Sequence, residues 1–433
     1  MPRIAFIGAG SVVFTRNLLG DILRHPELRG STIALHDIDA ERLDTAERMA
    51  RWTSDHLNAS ALIEAHAYRQ DAISGADFVI NMVQVGMHAA TLLDFEIPAK
   101  YGLKQTIADS YGIGGIFRAL RTIPVMQGVA QDIESLAPRA LLLNYTNPMA
   151  MLTSSVYRDS SVRVVGLCHS VQYTVQQIAG YIGWDEQDIV FECSGVNHIA
   201  FFSRLEAKSS GEDLYPRLRL AAENPEIYAK DKVRFELFKW LGRFVTESSE
   251  HNAEYTPHFL RRDDQIDSFD VPVNEYLRRS ENNLVQYAET RAKLLAGEGF
   301  EVKESVEYGA GIIHSIVTGQ PRVIYGNVRN TGLIPNLPEG ACVEVPVLVD
   351  AQGLRPTQCA PLEPQLLGQI MPHALVAELT VTAALYGERD ALYQAAMLDR
   401  HASSVLSLSE TRALVDELLA AHGQAMPEGL RTR

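Results

Sequence analysis

The chain has 433 residues, 46 % hydrophobic and 21 % charged, which is enough for two domains or one large elaborated one. A net charge of -15 argues against partners that need a basic face, so neither nucleic acid nor an anionic membrane is expected. Four cysteines without disulfide-like spacing, a start that passes directly into a core strand and no apolar run of about 18 residues predict a soluble cytoplasmic protein without signal peptide or membrane span.

Residues 3–7 read as a short apolar strand running into Gly8-Ala9-Gly10-Ser11, with a helix over 13–24. Strand, glycine turn and helix in that order cradle a pyrophosphate on a helix N-terminus, which assigns Gly8, Gly10 and Ser11 to a dinucleotide. The full fingerprint asks for a third Gly or Ala where this chain has Val13. A second strand, 32–36, ends at Asp37, placed to accept both hydroxyls of an adenosine ribose and so to favour NAD over NADP. Asp39 suits the cap of a helix over 40–52. Strands at 61–65 and 77–83 continue the rhythm of a parallel, doubly wound sheet.

The glycine-rich loop 106–115 precedes a long helix, 116–136, that Pro124 should kink. Asp109 in that loop is a candidate acid or lid residue, and equally a charge favoured by the helix dipole. A strand at 140–143 leads to Asn147, the expected N-cap of a helix opened by Pro148, whose amide also suits a substrate hydroxyl. A strand at 163–167 then delivers Cys168 and His169 to the same sheet edge. The expected fold is thus α/β: a Rossmann-like dinucleotide-binding domain, 1–169, and an α+β substrate, metal and oligomerisation domain, 170–433.

In the second part a helix over 171–182 gives way to longer strand-like runs. Asn197-His198 lies inside an apolar run, so Cys168 and His198 offer a thiolate and an imidazole at the ends or turns of core elements. Such a pair suits a metal left open to substrate, although a buried free cysteine is also an ordinary small hydrophobe. Residues 244–259 carry Glu247, Glu250, His251, Glu254, Tyr255 and His258, with Pro257 expected to prevent a helix. That segment is either a solvated loop or an insertion over the crevice. Residues 307–350 look like strands and tight turns, 374–398 like one long helix carrying Glu378, and 410–422 like a last helix before a mobile polar tail.

In order, GAGS, TIAD…GG, LNYTNPMAM, GLCHS, GVNHIAFF and TESSEHNAEY resemble the NAD- and metal-dependent glycosidases of glycoside hydrolase family four along practically the whole chain. The likeness is nearest to the melibiase-type α-galactosidase branch, where the Cys is followed by His and Ser. The phosphosugar branch has Asp after the Cys and an Arg near Thr91. The resemblance implies hydrolysis of small unphosphorylated α-galactosides, as exceptions to two-carboxylate chemistry. NAD+ takes hydride from carbon 3, Mn2+ or another divalent metal stabilises the enediolate, the leaving group is eliminated, water adds and the hydride returns. It implies Cys168 and His198 as metal ligands and Asn147 as a sugar contact. Tyr255 would be the base, with His251 and Glu250 as rivals, and His169 or Asp109 the leaving-group acid. It also implies a dimer or tetramer. The chain departs from the branch at Val13 and at Tyr111-Gly112-Ile113. Other α-glycosides remain open as substrates. A hydroxy-acid dehydrogenase of similar layout is disfavoured by Cys168 with His198, and an NAD-sensing binding protein by the intact Asn147, Cys168, His198 and Tyr255.

Overall fold

The computed structural model describes residues 1–431. Six parallel strands form its first half: β1 (Arg3–Ile7), β2 (Thr32–His36), β3 (Leu62–His66), β4 (Phe78–Asn81), β5 (Leu141–Asn144) and β6 (Arg163–Gly166). Between them run helices α1 (Val12–Arg24), α2 (Ala40–His56), α3 (Arg69–Ile73), α4 (Met87–Lys100), α5 (Gly112–Leu136) and α6 (Met149–Asp159). Every residue of β4 and β5 is buried, as expected of strands covered by helices on both faces. The parallel order is β3-β2-β1-β4-β5-β6, so the winding reverses between β1 and β4 and opens a crevice beyond their carboxyl ends.

After α7 (Ser170–Ile182) come β7 (Ile189–Val196) and β8 (Ile199–Ala207). Helices α8 (Tyr215–Glu223), α9 (Pro225–Tyr228), α10 (Lys232–Leu241), α11 (Ser249–Glu254), α12 (Asp263–Ser268) and α13 (Glu275–Leu295) follow, then α14 (Tyr308–Thr318). Strands β9 (Arg322–Arg329), β10 (Cys342–Asp350) and β11 (Gly353–Pro356) precede α15 (Pro364–Tyr386), α16 (Arg389–Leu398), α17 (Arg400–Val405) and α18 (Leu408–His422). The later strands extend the first sheet: β9 pairs antiparallel with β6 at Gly166–Asn327, and β10, β7 and β8 continue outward. Asn327 fixes this seam by donating to Gly166 O and to the buried Glu344, both at 3.3 Å.

Several expectations change. Residues 308–318 are the helix α14, not strands, ending on Gly319 in the left-handed conformation that favours glycine. The long helix expected over 374–398 is two, broken at Gly387, and Glu378 pairs with Arg158. A short helix, α11, does form before Pro257, capped by Ser248; the proline lies beyond its end. Asn147 is not the cap of α6, because Pro148 occupies that position and frees the Asn147 side chain for the crevice. The tail beyond 422 packs Met426 and Leu430 into the core, while residues 432–433 of the expected mobile tail lie outside the described residues. Helix α15 is also long and apolar enough to cross a membrane, contrary to the sequence expectation. Its apolarity serves packing, since it lies against α5, α6 and α16 and buries Ile370, Val376 and Val381.

Candidate active site

The glycine turn closes the end of β1. Gly8 has φ +82°, and a Cβ there would meet the Val83 backbone at 3.0 Å. A Cβ on Gly10 would come within 2.5 Å of Arg42 Cβ and 2.7 Å of Asp37 Oδ2. Asp37 draws the turn toward β2 by accepting from Gly10 N at 2.9 Å and from Asp39 N at 3.0 Å. Asp39 caps α2 by accepting from Glu41 N and Arg42 N, as expected. Val13, where the fingerprint asks for a small residue, faces outward and so does not obstruct helix–strand packing. The Ser11 side chain makes no cap bond, leaving the N-terminus of α1 open.

Cys168 follows β6, and His198 is the second residue of the two-residue turn between β7 and β8. Cys168 Sγ and His198 Nε2 lie 3.3 Å apart, both buried. An ion held at about 2.3 Å by sulfur and about 2.0–2.1 Å by nitrogen separates those atoms by roughly 3.1–3.5 Å, so the pair has the bite of a metal site. Burial pushes the Cys168 thiol up to about 11, opposed by the neighbouring His169. Forming the thiolate therefore calls for a cation at the sulfur.

The other face of His198 is fixed by a hydroxyl. Ser110 Oγ donates to Asp109 Oδ1 at 2.8 Å and lies 3.0 Å from His198 Nδ1. With its proton given to Asp109, this oxygen accepts from Nδ1–H and leaves the Nε2 lone pair facing Cys168. Tyr255 OH approaches the same Nδ1 at 3.3 Å. His251 sits edge-on to His198, 4.9 Å between ring centroids, and bridges Glu247 at 3.3 Å and Asp109 at 3.7 Å. Asp109, His198 and His251 thus form a buried cluster whose donor atoms all lie within 4.8 Å of one another. Ser110→Ala is expected to weaken Mn2+ binding about 10- to 100-fold, measured by electron paramagnetic resonance titration, because the imidazole beside Cys168 loses its orienting partner.

Charge divides the two candidate acids. Burial would raise the Asp109 carboxyl, but the hydrogen bond and charge of His251, with Arg118 and His198, hold it far below the usual carboxylate range. Burial would lower His169, but its hydrogen bond to Glu307 at 3.2 Å and the charges of Cys168, Glu307 and Glu247 raise it to about 9. His169 therefore carries a proton at neutral pH, and Asp109 does not. Asp109 instead accepts from Asn147 Nδ2 at 3.1 Å, which leaves Asn147 Oδ1 buried without a partner. An unpaired buried carbonyl costs about 1–3 kcal/mol unless a ligand satisfies it. Of the rival bases, Glu250 turns away to Arg279 at 3.5 Å, whereas His251 stays in the site between Glu247 and Asp109.

Sequence reasoning missed Ser110, Glu307 and the role of Glu254. The buried Glu254 carboxylate accepts from Thr106 N at 2.5 Å, Ile107 N at 3.1 Å and Ala108 N at 2.9 Å, clamping the loop that carries Asp109 and Ser110. Glu254→Ala should destabilise the fold by about 3 kcal/mol or more, read by chemical denaturation, because three buried N–H groups lose their acceptor. Burial, opposed by the Ala108 and Thr106 N–H groups, raises Glu254 from 4.5 to about 7. Its proton is thus held more tightly in the folded state. That contribution to stability is complete below pH 4.5 and is lost as the pH rises through about 7. Relative to Glu254→Gln, the wild type should lose stability between pH 5 and 8; a constant difference would refute the assignment. Ala108, His198 and Glu247, all in this site, hold φ values of +51°, +67° and +72°.

Comparison with known proteins agrees with this geometry along the chain. Residues 3–183 match the family 4 glycosyl hydrolases, and residues 193–402 match the family 4 glycosyl hydrolase C-terminal domain. An α-galactosidase of Bacillus subtilis (strain 168) is 42 % identical over 99 % of this chain and 100 % of its own length. One from Rhizobium meliloti (strain 1021) is 32 % identical over 98 % of this chain and 89 % of its own. The crystal structure of a 6-phospho-α-glucosidase from gut microorganisms, in complex with NAD and Mn2+, superposes with a TM-score of 0.84 at 19 % identity, covering 99 % of both chains. Malate dehydrogenase from Plasmodium falciparum shares the fold at a TM-score of 0.52 and 13 % identity, covering 90 % of this chain and all of its own. With both of its family models matching and a full-length relative at 42 % identity, this chain belongs to glycosyl hydrolase family 4.

Proposed function

We propose that this enzyme hydrolyses small, unphosphorylated α-galactosides with NAD+ and a divalent cation, Mn2+ foremost. The observation that carries the reading is the 3.3 Å Cys168–His198 bite on the edge that also holds the open N-terminus of α1. The full-length likeness to α-galactosidases supports the sugar. When bound, NAD+ supplies a hydride acceptor and the cation a Lewis acid. The residues present fit both groups: Gly8, Gly10 and Ser11 would cradle a pyrophosphate, Asp37, at the end of β2, would meet the ribose, and Cys168 with His198 would hold the ion.

Asn147 offers its unpaired Oδ1 to a sugar hydroxyl, while Asp109 fixes the amide from behind. Tyr255 removes the proton on the carbon beside the oxidised position. His169, positively charged and held by Glu307, donates a proton to the departing oxygen. A neutral sugar suits the crevice. Thr91 is buried and donates to Met87 O, and Arg118 and Arg121 are spent on Asn147 O, Tyr276 OH, Val85 O and Asp94. Four free cysteines, one needed as a thiolate, accord with the reducing cytoplasm. A dimer or tetramer is proposed from the family likeness, and sedimentation would test it.

The deciding experiment is hydrolysis of p-nitrophenyl α-galactoside with and without NAD+, Mn2+ and dithiothreitol, in deuterated water. Release that needs all three additives, with deuterium at carbon 2 of the product, is expected. Release without NAD+ would refute the redox-assisted mechanism, and release only from other α-glycosides would correct the sugar.

A further inference from the structure

Helices α1 and α14 both begin at the crevice and run side by side to the opposite edge of the sheet. There, about 20 Å along α1 from the glycine turn, three metal-capable side chains converge: His25 just past α1, Glu27 two residues on, and His314 on α14. Their donor atoms all lie within 4.8 Å of one another. The His25 and His314 rings stack at 4.2 Å, and His314 Nε2 lies 3.4 Å from Glu27 Oε2. His314 is 95 % buried, and its Nδ1 has no hydrogen-bond partner. A buried imidazole nitrogen left unpaired costs stability unless a ligand satisfies it, and here it belongs to the ring whose other nitrogen faces Glu27.

We propose that His25, Glu27 and His314 form a second cation site, for a zinc-type transition ion, separate from the catalytic crevice. Two imidazoles and one carboxylate are a familiar donor set for that class, with water completing four-fold coordination. Tetrahedral N and O ligands at about 2.0–2.1 Å stand roughly 3.3 Å from one another. Reaching that spacing would take rotation of Glu27, which is exposed, and of His25, which is half-buried and would leave its stack on His314. Burial and the neighbouring His314 lower the His25 pKa, with Arg322 adding to this and Glu27 and Glu304 opposing it. The lowered value favours the neutral imidazole that a metal needs. The bound ion would pin the far end of α1, the cofactor helix, to α14, whose N-terminal neighbour Glu307 meets His169.

Equilibrium dialysis of the full-length protein against Zn2+ with elemental analysis tests this. His25→Ala and Glu27→Gln, both at accessible positions, are each expected to bind one equivalent fewer than the wild type. Zn2+ should raise the Tm of a Cys168→Ser protein, and the added His25→Ala substitution should abolish that rise. Equal stoichiometry in wild type, His25→Ala and Glu27→Gln, or a Zn2+-induced Tm rise that survives His25→Ala, would overturn the proposal.

Discussion

Cys168→Ser is expected to lower kcat/KM for α-galactosides about 1,000-fold. A Lewis-acid metal contributes several kcal/mol to stabilising developing charge, and each 1.36 kcal/mol is a factor of ten in rate. Cysteine is suited to this place because its thiol, although pushed up to about 11 by burial, loses its proton once a cation arrives. A serine hydroxyl is far more reluctant to ionise and is a harder ligand. His198 remains anchored by Ser110, so the fold should survive and the loss should fall on Mn2+ affinity. Chelation by EDTA should mimic the substitution in the wild type, reversed by Mn2+ with a reductant. A serine variant within tenfold of wild type, or wild-type activity indifferent to EDTA, would remove the metal from the mechanism.

Tyr255→Phe should cost about 100- to 10,000-fold in turnover, the range of a positioned general base. Burial, with Asp109, Glu254 and Glu247 close by, drives the Tyr255 phenol well above 10, so it ionises only when positive charge enters the site. Its oxygen lies 3.3 Å from the outer nitrogen of His198, where a cation on the inner nitrogen would be felt. The phenylalanine ring keeps the edge-on packing with Tyr111 and the contact with His373, so metal and substrate binding should persist. The specific signature is loss of deuterium exchange at carbon 2 with cofactor binding intact. Exchange at the wild-type rate would pass the role to His251, which already bridges Glu247 and Asp109.

The parallel half of the sheet was legible because buried strands, glycine turns and amphipathic helices each leave a local signal. β1 and β2 fall where the apolar runs put them, and the crevice residues Gly8, Asp37, Asn147, Cys168 and His169 follow from strand ends. The rest was written in contacts between distant residues. The β6–β9 seam joins Gly166 to Asn327, and no local pattern announces such a pairing. α14 was misread because its glycines and β-branched Ile312, Ile313 and Val317 resemble a strand; tertiary burial overrides that preference. Glu254, Ser110 and Glu307 act on backbone or rings far from them in sequence. Cys168 and His198 were legible as a candidate pair, but the Ser110 hydroxyl against His198 Nδ1 was not.

The three left-handed residues in the site carry a consequence for directed evolution. Ala108, His198 and Glu247 hold backbone conformations that cost an L-residue of order 1–3 kcal/mol each and cost glycine little. A library selected for heat resistance alone should therefore drift toward glycine or asparagine at these positions, and at 198 each such winner would lose the imidazole that faces Cys168. Thermostable variants of this enzyme should be sought with activity in the screen from the first round, and stabilised at surface sites far from the crevice.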